Sequence, residues 1–286
     1  MELEQNNEII ALLEGPDRPG IVASVAGWIH GRGGNIAHAD QHRDSDAGVF
    51  FQRVAWQHPT SDEGDPIADF TALAATLGMR TKVFEARHRP KIAVFVSKFD
   101  HCFHDILLRW KGGEFAGDIS LVLSNHETLA RATEGYGVPF YHVAVSPQRK
   151  HEAEAEQLRI LREHGIELVV MARYMQILSD DFLSKSEAPV INIHHSFLPA
   201  FAGARPYHQA FRRGVKIIGA TAHYATADLD EGPIIQQEVL HVNHRHGVSD
   251  LIRKGRDLEK VVLAQAVRWH LEHRILVYGN KTVVFD

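Results

Sequence analysis

Cysteine is nearly missing: Cys102 is the only one in 286 residues. A single thiol closes no internal disulfide and builds no thiolate metal cage, so a secreted disulfide scaffold and a zinc-finger module are excluded. A reducing, cytoplasmic setting is expected. Long apolar runs are lacking too, and nothing approaches the ~20 residues that span a bilayer. The opening MELEQNNE is polar and acidic rather than the start of a signal peptide. There is no excess of positive charge. Lys and Arg number 31 against 36 Asp and Glu, a net charge of −5, so neither a nucleic acid nor a membrane surface is an expected partner. Internal repeats and low-complexity tracts are also absent.

What is present is an ordinary globular mixture, 44% hydrophobic and 23% charged. It is long enough for two domains with sizeable cores. Twenty histidines are many for this length, and they raise the question of metal or acid–base chemistry without answering it.

The first 86 residues read as βαββαβ. Residues 8–13 form a short apolar strand, and a turn follows at Gly15-Pro16-Asp17-Arg18-Pro19-Gly20. Ile21, Val22, Val25 and Ile29 then recur at helical spacing up to Gly31-Arg-Gly-Gly34. Strands over 35–43 and 48–56, a helix over 67–77 and a strand over 80–85 complete a ferredoxin-like antiparallel sheet with two helices on one face. Ala86-Arg-His-Arg-Pro90 is polar and suits a linker.

From 87 to 286 the rhythm is strand–helix. The expected strands are 91–96, 119–123, 139–143, 168–171, 190–194, 217–224 and 234–242. The expected helices are 101–110, 126–133, 150–164 and a closing one over 257–273. Uninterrupted apolar strands point to a doubly wound, mostly parallel, Rossmann-like sheet that binds ligand beyond the strands' carboxyl ends.

The densest chemistry lies between Val190 and Gly232. Asn192 and His194 are two apart on a strand, so both side chains face the same way. An amide N–H beside an imidazolium can hold the oxyanion that develops when a carbonyl is attacked. Asp228-Leu-Asp230-Glu-Gly232 follows a later strand and offers a carboxylate, which favours the charged imidazole while its own pKa falls.

These residues stand in a recognisable order. Asn192-Ile-His194, Ser196-Phe-Leu-Pro199, Thr221-Ala-His223 and Leu229-Asp-Glu-Gly-Pro-Ile-Ile235 together resemble the signature of the folate-dependent formyltransferase fold. That group includes the glycinamide ribonucleotide and methionyl-tRNA formyltransferases and the formyltetrahydrofolate deformylases. The resemblance covers roughly the last two-thirds of the chain, one large domain. It implies Asn192, His194 and Asp230 as the catalytic trio. It implies a folate pocket at 171–178 with Met175, Ile177 and Leu178 against the pteridine, and Thr226-Ala227-Asp228 as a loop closing over the ring. Folate is then the substrate, 10-formyltetrahydrofolate, and no separate cofactor is expected.

A transferase of this group that formylates a ribonucleotide amine must hold the acceptor's phosphate, which in that relative a Gly/Ser/Asn-rich turn after the first catalytic strand does with its backbone N–H groups. Here that turn, Ser97-Lys-Phe-Asp-His-Cys-Phe-His104, has no glycine, holds bulky Phe99 and places Asp100 where a phosphate would be repelled. It resembles the water-using deformylases instead. So does His195, which follows the catalytic histidine where the transferases usually carry proline, and which shapes the pocket, orders water or simply packs. The resemblance implies hydrolysis to formate and tetrahydrofolate, supplying formate for purine synthesis and balancing one-carbon folate pools.

The N-terminal order, with Asp17, Pro19, Gly20 and Ile21 at the first strand–helix turn, resembles the ACT domains, which bind amino acids at interfaces between paired copies. Methionine and glycine are the effectors so implied, and a homo-oligomer the expected assembly.

Three other readings stand beside this one. They are a phosphoribosylglycinamide-type formyltransferase, an amino-acid sensor without catalysis, and a metal hydrolase using His241, His244 and His246 with His194, His195 and His223. On an extended strand His241 faces away from His244 and His246, so a solvated strand and loop is the simpler account of those three and no metal site is expected. Cys102 reads as a buried residue at a helix start rather than a nucleophile.

Overall fold

The computed structural model describes residues 7–59, 64–200 and 205–285. Most of the polar opening stretch, residues 1–6, lies outside them. By compactness the chain divides into one unit of residues 1–88 with 272–278 and 282–286, and a second of residues 89–271 with 279–281.

In the first unit the order is β1 (Glu8–Pro16), α1 (Ile21–Gly31), β2 (Asn35–Asp44), β3 (Val49–Gln57), α2 (Pro66–Thr76) and β4 (Arg80–Glu85). The sheet runs β2-β3-β1-β4 and every pairing is antiparallel. Alternation decides its faces. Ile9, Ala11, Leu13, Val54 and Trp56 meet Ile21, Val25 and Ile29 of α1 and Phe70 and Ala74 of α2. Asp65 caps α2, accepting from the Ile67 and Ala68 N–H groups, and Pro66 starts the helix without wasting a donor.

The second unit holds β5 (Lys91–Val96), α3 (His101–Lys111), β6 (Asp118–Ser124), α4 (Ala130–Gly135), β7 (Phe140–His142), α5 (Lys150–His164), β8 (Leu168–Met171), α6 (Asp180–Lys185), β9 (Val190–His194), α7 (Pro206–Arg213), β10 (Ile217–Tyr224), β11 (Ile234–His241) and α8 (Val248–Leu271). Its seven-stranded sheet is ordered β11-β10-β9-β8-β5-β6-β7. It is parallel from β9 to β7, and β10 and β11 are antiparallel additions. Ala93, Phe95, Leu121 and Leu123 pack under α5 and α6. Ile92, on the other face, approaches Leu271 at the end of α8 around Gly117. The chain leaves β5 toward β6 on one side and returns to β8 on the other, so the crevice beyond the carboxyl ends of β5 and β8 is the topological switch point where such sheets bind ligands.

Four features differ from the sequence reading. Helix α8 begins at Val248 rather than near 257, because the charged, glycine-interrupted run Arg253-Lys-Gly-Arg-Asp257 hides a continuous buried stripe of Leu251, Gly255, Glu259, Val262, Leu263 and Ala266. Helices α6 and α7 are too short and polar to show a period, though Ser179 caps the first through the Phe182 N–H and Pro206 opens the second. Residues 127–129 form a 3-10 turn ahead of α4 instead of one helix.

The last difference is at the C-terminus, which the sequence reading assigns with 87–286 to one domain. A hairpin, β12 (Ile275–Tyr278) and β13 (Lys281–Val284), returns to the first unit. Leu276 and Phe285 cover Leu12 and Phe51 there. Buried Arg53 of β3 secures the return, donating from Nε to the His273 carbonyl (3.0 Å) and from Nη2 to that of Glu272 (3.1 Å). No helix among the described residues is long and apolar enough to cross a membrane.

Candidate active site

Strand β9 places Asn192 and His194 on one side, and antiparallel β10 sets His223 directly across from Asn192. Beside this pair the register with β11 shifts between Ala222 and His223. A bulge of that kind re-aims side chains at a functional edge. The His223 Nδ1 lies 3.0 Å from the Tyr224 carbonyl and Nε2 lies 3.2 Å from Asn192 Nδ2. A carbonyl only accepts, so Nδ1 carries the proton and Nε2 accepts from the amide. Burial lowers the His223 pKa, which keeps it in this neutral, accepting form. One N–H of Asn192 is thereby fixed, and the amide's other N–H remains for a ligand.

The loop between β10 and β11 delivers Asp230 in a left-handed backbone conformation, φ 59°. Gly232 makes the turn possible: a Cβ there would lie 1.8 Å from the Tyr224 carbonyl oxygen. Asp230 Oδ1 is 3.1 Å from His194 Nδ1 and 3.8 Å from His223 Nε2. Burial alone would raise the Asp230 carboxyl, but the hydrogen bond and charge of His194 outweigh it and hold the group below the usual carboxylate range. His194 Nε2 is buried with no partner among the described residues. An imidazole anchored at Nδ1 by a carboxylate, with Nε2 open, is arranged to present a proton to a ligand atom.

These groups line a cavity of about 620 Å³, of the size that takes a small organic ligand. One wall is apolar. Met175, Ile177 and Leu178 line it with Met171, Leu183, Thr226 and Ala227. Met175 and Ile177 are 48% and 57% exposed, a large apolar area that a flat ring would cover. The segment is tied to the switch point: the Met175 N–H donates to Ser97 Oγ (3.0 Å), whose hydroxyl donates to Asn125 Oδ1 (2.6 Å).

The trio Asn192, His194 and Asp230 is therefore brought together, with His195, Met175, Ile177, Leu178, Thr226 and Ala227 around it. Asp228 is not part of the lining. It is exposed, and its carbonyl accepts from Thr226 Oγ1 and the Glu231 N–H, both at 3.2 Å, so it shapes the loop. His195 is pushed down to about 3, chiefly by burial and then by the Arg173 charge, and is a neutral imidazole.

Asp17, Pro19, Gly20 and Ile21 sit far along the chain, at the β1–α1 turn. Gly20 has φ +93°, a conformation that favours glycine. Ile21 is buried, and Asp17 pairs with Arg43 at 2.7 Å.

Against the trio stands a charged cluster that sequence reasoning missed. Glu259 of α8 is 1% exposed; its Oε1 accepts from the Tyr207 hydroxyl and its Oε2 from His101 Nε2, each at 2.7 Å. Burial would raise this carboxyl, but His101 and Arg173 hold it below the ordinary glutamate value. Arg173 lies over the Phe99 ring at 4.9 Å. The legible signal was an acid on the buried stripe of α8, four residues after Gly255, where a Cβ would strike Tyr207 Oη at 2.0 Å.

His101, Cys102 and Glu259 bring ligand atoms within 4.8 Å of one another. The donor set does not fit a metal ion. Cys102 is wholly buried, and burial, and next the Glu259 charge, raise its thiol well above its ordinary pKa. The carboxylate is already engaged by Tyr207, His101 and, at 3.5 Å, the Arg173 guanidinium. Among the described residues His241, His244 and His246 form no such convergent group; His246 Nδ1 accepts from the Asn243 N–H.

The geometry agrees with what the chain is similar to. The family model described as formyl transferase matches residues 90–267. A formyltetrahydrofolate deformylase of Synechocystis sp. is 51% identical over 98% of this chain and 99% of its own length. That of Bacillus subtilis is 42% identical over 96% and 93%. The crystal structure of a formyltetrahydrofolate deformylase from Pseudomonas syringae pv. tomato superposes with a TM-score of 0.93 at 42% identity, covering 99% of this chain and 96% of that one.

Proposed function

The chain belongs to the formyltetrahydrofolate deformylase family, and from that premise we propose how its own residues hydrolyse 10-formyltetrahydrofolate to formate and tetrahydrofolate. The observation that carries the reading is the meeting of Asn192, His194 and Asp230 at the mouth of the parallel sheet, with Asp230 3.1 Å from His194.

The pteridine lies on Met175, Ile177 and Leu178 under the 226–228 loop, and the formyl group reaches the trio. A water oxygen bonds to the formyl carbon. The carbonyl oxygen takes up the charge and accepts from the open N–H of Asn192 and from His194 Nε2–H. Asp230 Oδ2 takes the water's proton, directly or through a second water. On collapse the bond from carbon to N10 breaks and N10 receives a proton. The OH and one H of water end on formate and N10, and the formic acid ionises. Every group needed is on this chain, and the reaction as drawn uses no cofactor.

The test is incubation of the purified protein with 10-formyltetrahydrofolate, with and without glycinamide ribonucleotide. Formate release without acceptor is the expected result, and the rate is kept after exhaustive chelation. Formyl transfer that strictly requires the acceptor would overturn the hydrolase in favour of a transferase.

For the first unit we infer an ACT-type regulatory domain over residues 1–86, supported by its βαββαβ order and the left-handed Gly20 at the start of α1. A turn of that form presents helix N-terminal N–H groups to a carboxylate. Pairing of such domains makes the protein a homo-oligomer that senses methionine or glycine. Calorimetry showing heat with neither amino acid would remove this regulatory role and leave the hydrolysis untouched.

A further inference from the structure

Arg173 follows the carboxyl end of β8 and adopts φ 65°, a conformation that favours glycine and is uncommon for a long side chain. The residue is 8% exposed and lines the cavity. Its Nε and Nη1 are buried without a hydrogen-bond partner among the described residues. Glu259, the nearby acid, forms an ion pair with the guanidinium but takes no hydrogen bond from it. Its Oε1 is held by Tyr207 and its Oε2 by His101, and Oε2 stays 3.5 Å from Nε. A buried guanidinium with open donors is costly to keep unless something accepts from it.

The surroundings state the chemistry of that acceptor. Arg173, Arg205 and Arg256 line the cavity against two carboxylates, Asp230 and Glu259, so an anion is favoured. The planar donor fork matches a carboxylate. The His195 ring lies 5.2 Å from that of His194 and 6.1 Å from that of Tyr207, whose hydroxyl meets Glu259, itself 3.5 Å from Arg173, so His195 stands between the trio and the fork. We propose that Arg173 is the binding site for the formate ion that the hydrolysis releases, receiving it across His195 from the trio. The assignment deepens the hydrolase reading and rests on it.

The test uses full-length protein and ¹³C-formate without folate, reading NMR line broadening of the formate signal. Saturable broadening is expected. It should weaken at least about tenfold in Arg173→Gln, the loss of a charge-assisted pair. Glu259→Gln removes the negative charge beside the fork and should tighten formate binding, an outcome that a merely loosened fold would not produce. That variant carries the test if Arg173→Gln fails to fold.

Unchanged or weaker binding in Glu259→Gln, or unchanged binding in folded Arg173→Gln, would overturn the proposal. The other source of a carboxylate is the glutamate tail of the folate. Displacement of formate by pteroylglutamate but not by pteroic acid would assign the fork to that tail and overturn the formate site. Hydrolysis by a protein showing no saturable formate binding would sink this proposal alone, whereas failure of the formate-release assay would sink the hydrolase reading and this proposal with it.

Discussion

His195 shows how burial turns a common side chain into a specialised one. Its pKa, near 3 rather than the ordinary 6.5, means the folded protein refuses a proton that the unfolded chain accepts. Stability from this group is therefore complete above pH 6.5 and falls as the pH drops toward 3, by about 1.4 kcal/mol per pH unit. Buried His223 adds a slope of the same sign, and carboxylates such as Asp230 and Glu259, held low, lose theirs only in more acid solution. Denaturant unfolding between pH 6 and 5 should thus show a slope smaller by about one proton in His195→Gln than in the parent. Equal slopes would mean that this imidazole is not held neutral. The identity of His195 was legible from its place beside His194. Its charge state was not, because that is set chiefly by burial and then by the Arg173 charge, and both come from tertiary packing.

Among the elements, β9, β10 and the loop before β11 bring together the groups proposed to act on the substrate. The loop's shape rests on the close approach of Gly232 to the Tyr224 carbonyl. Gly232→Ala must displace that loop and Asp230 with it. The thermal midpoint should fall by the equivalent of about 1–3 kcal/mol, and formate release should drop by about a hundredfold, the cost of an ångström-scale misplacement. A variant with parental turnover would show that Asp230 does not need this loop geometry.

Strands such as 168–171, 190–194 and 217–224 were readable to the residue because apolar runs bounded by polar turns leave little choice. Arg173 and Glu259 escaped notice for the opposite reason. One is a charge inside a segment read as an apolar ring pocket, and the other a charge on a stripe broken by Gly255. Only tertiary packing shows that both are buried and face one cavity.

For the whole molecule, the return of the C-terminus matters most. A chain that reads as two consecutive domains ends by covering β1 and β3 of the first unit with Leu276 and Phe285. Short strands ending a sequence give no sign of which sheet face they will meet. Leu276→Ala should destabilise the first unit by about 2–3 kcal/mol, read as faster amide exchange in β1 and β3. Unchanged protection there would deny the hairpin its structural part.

The molecule as a whole uses one sheet's switch point for a cavity of about 620 Å³ that Asn192, His194 and Asp230 line. Its central claim is that water, deprotonated at Asp230, is the nucleophile. The direct measurement is formate production in H₂¹⁸O by the parent and by Asp230→Asn at saturating substrate. One ¹⁸O per formate, formed at least about a hundredfold more slowly in the variant, is the predicted result. Full-rate labelled formate from Asp230→Asn would contradict the account.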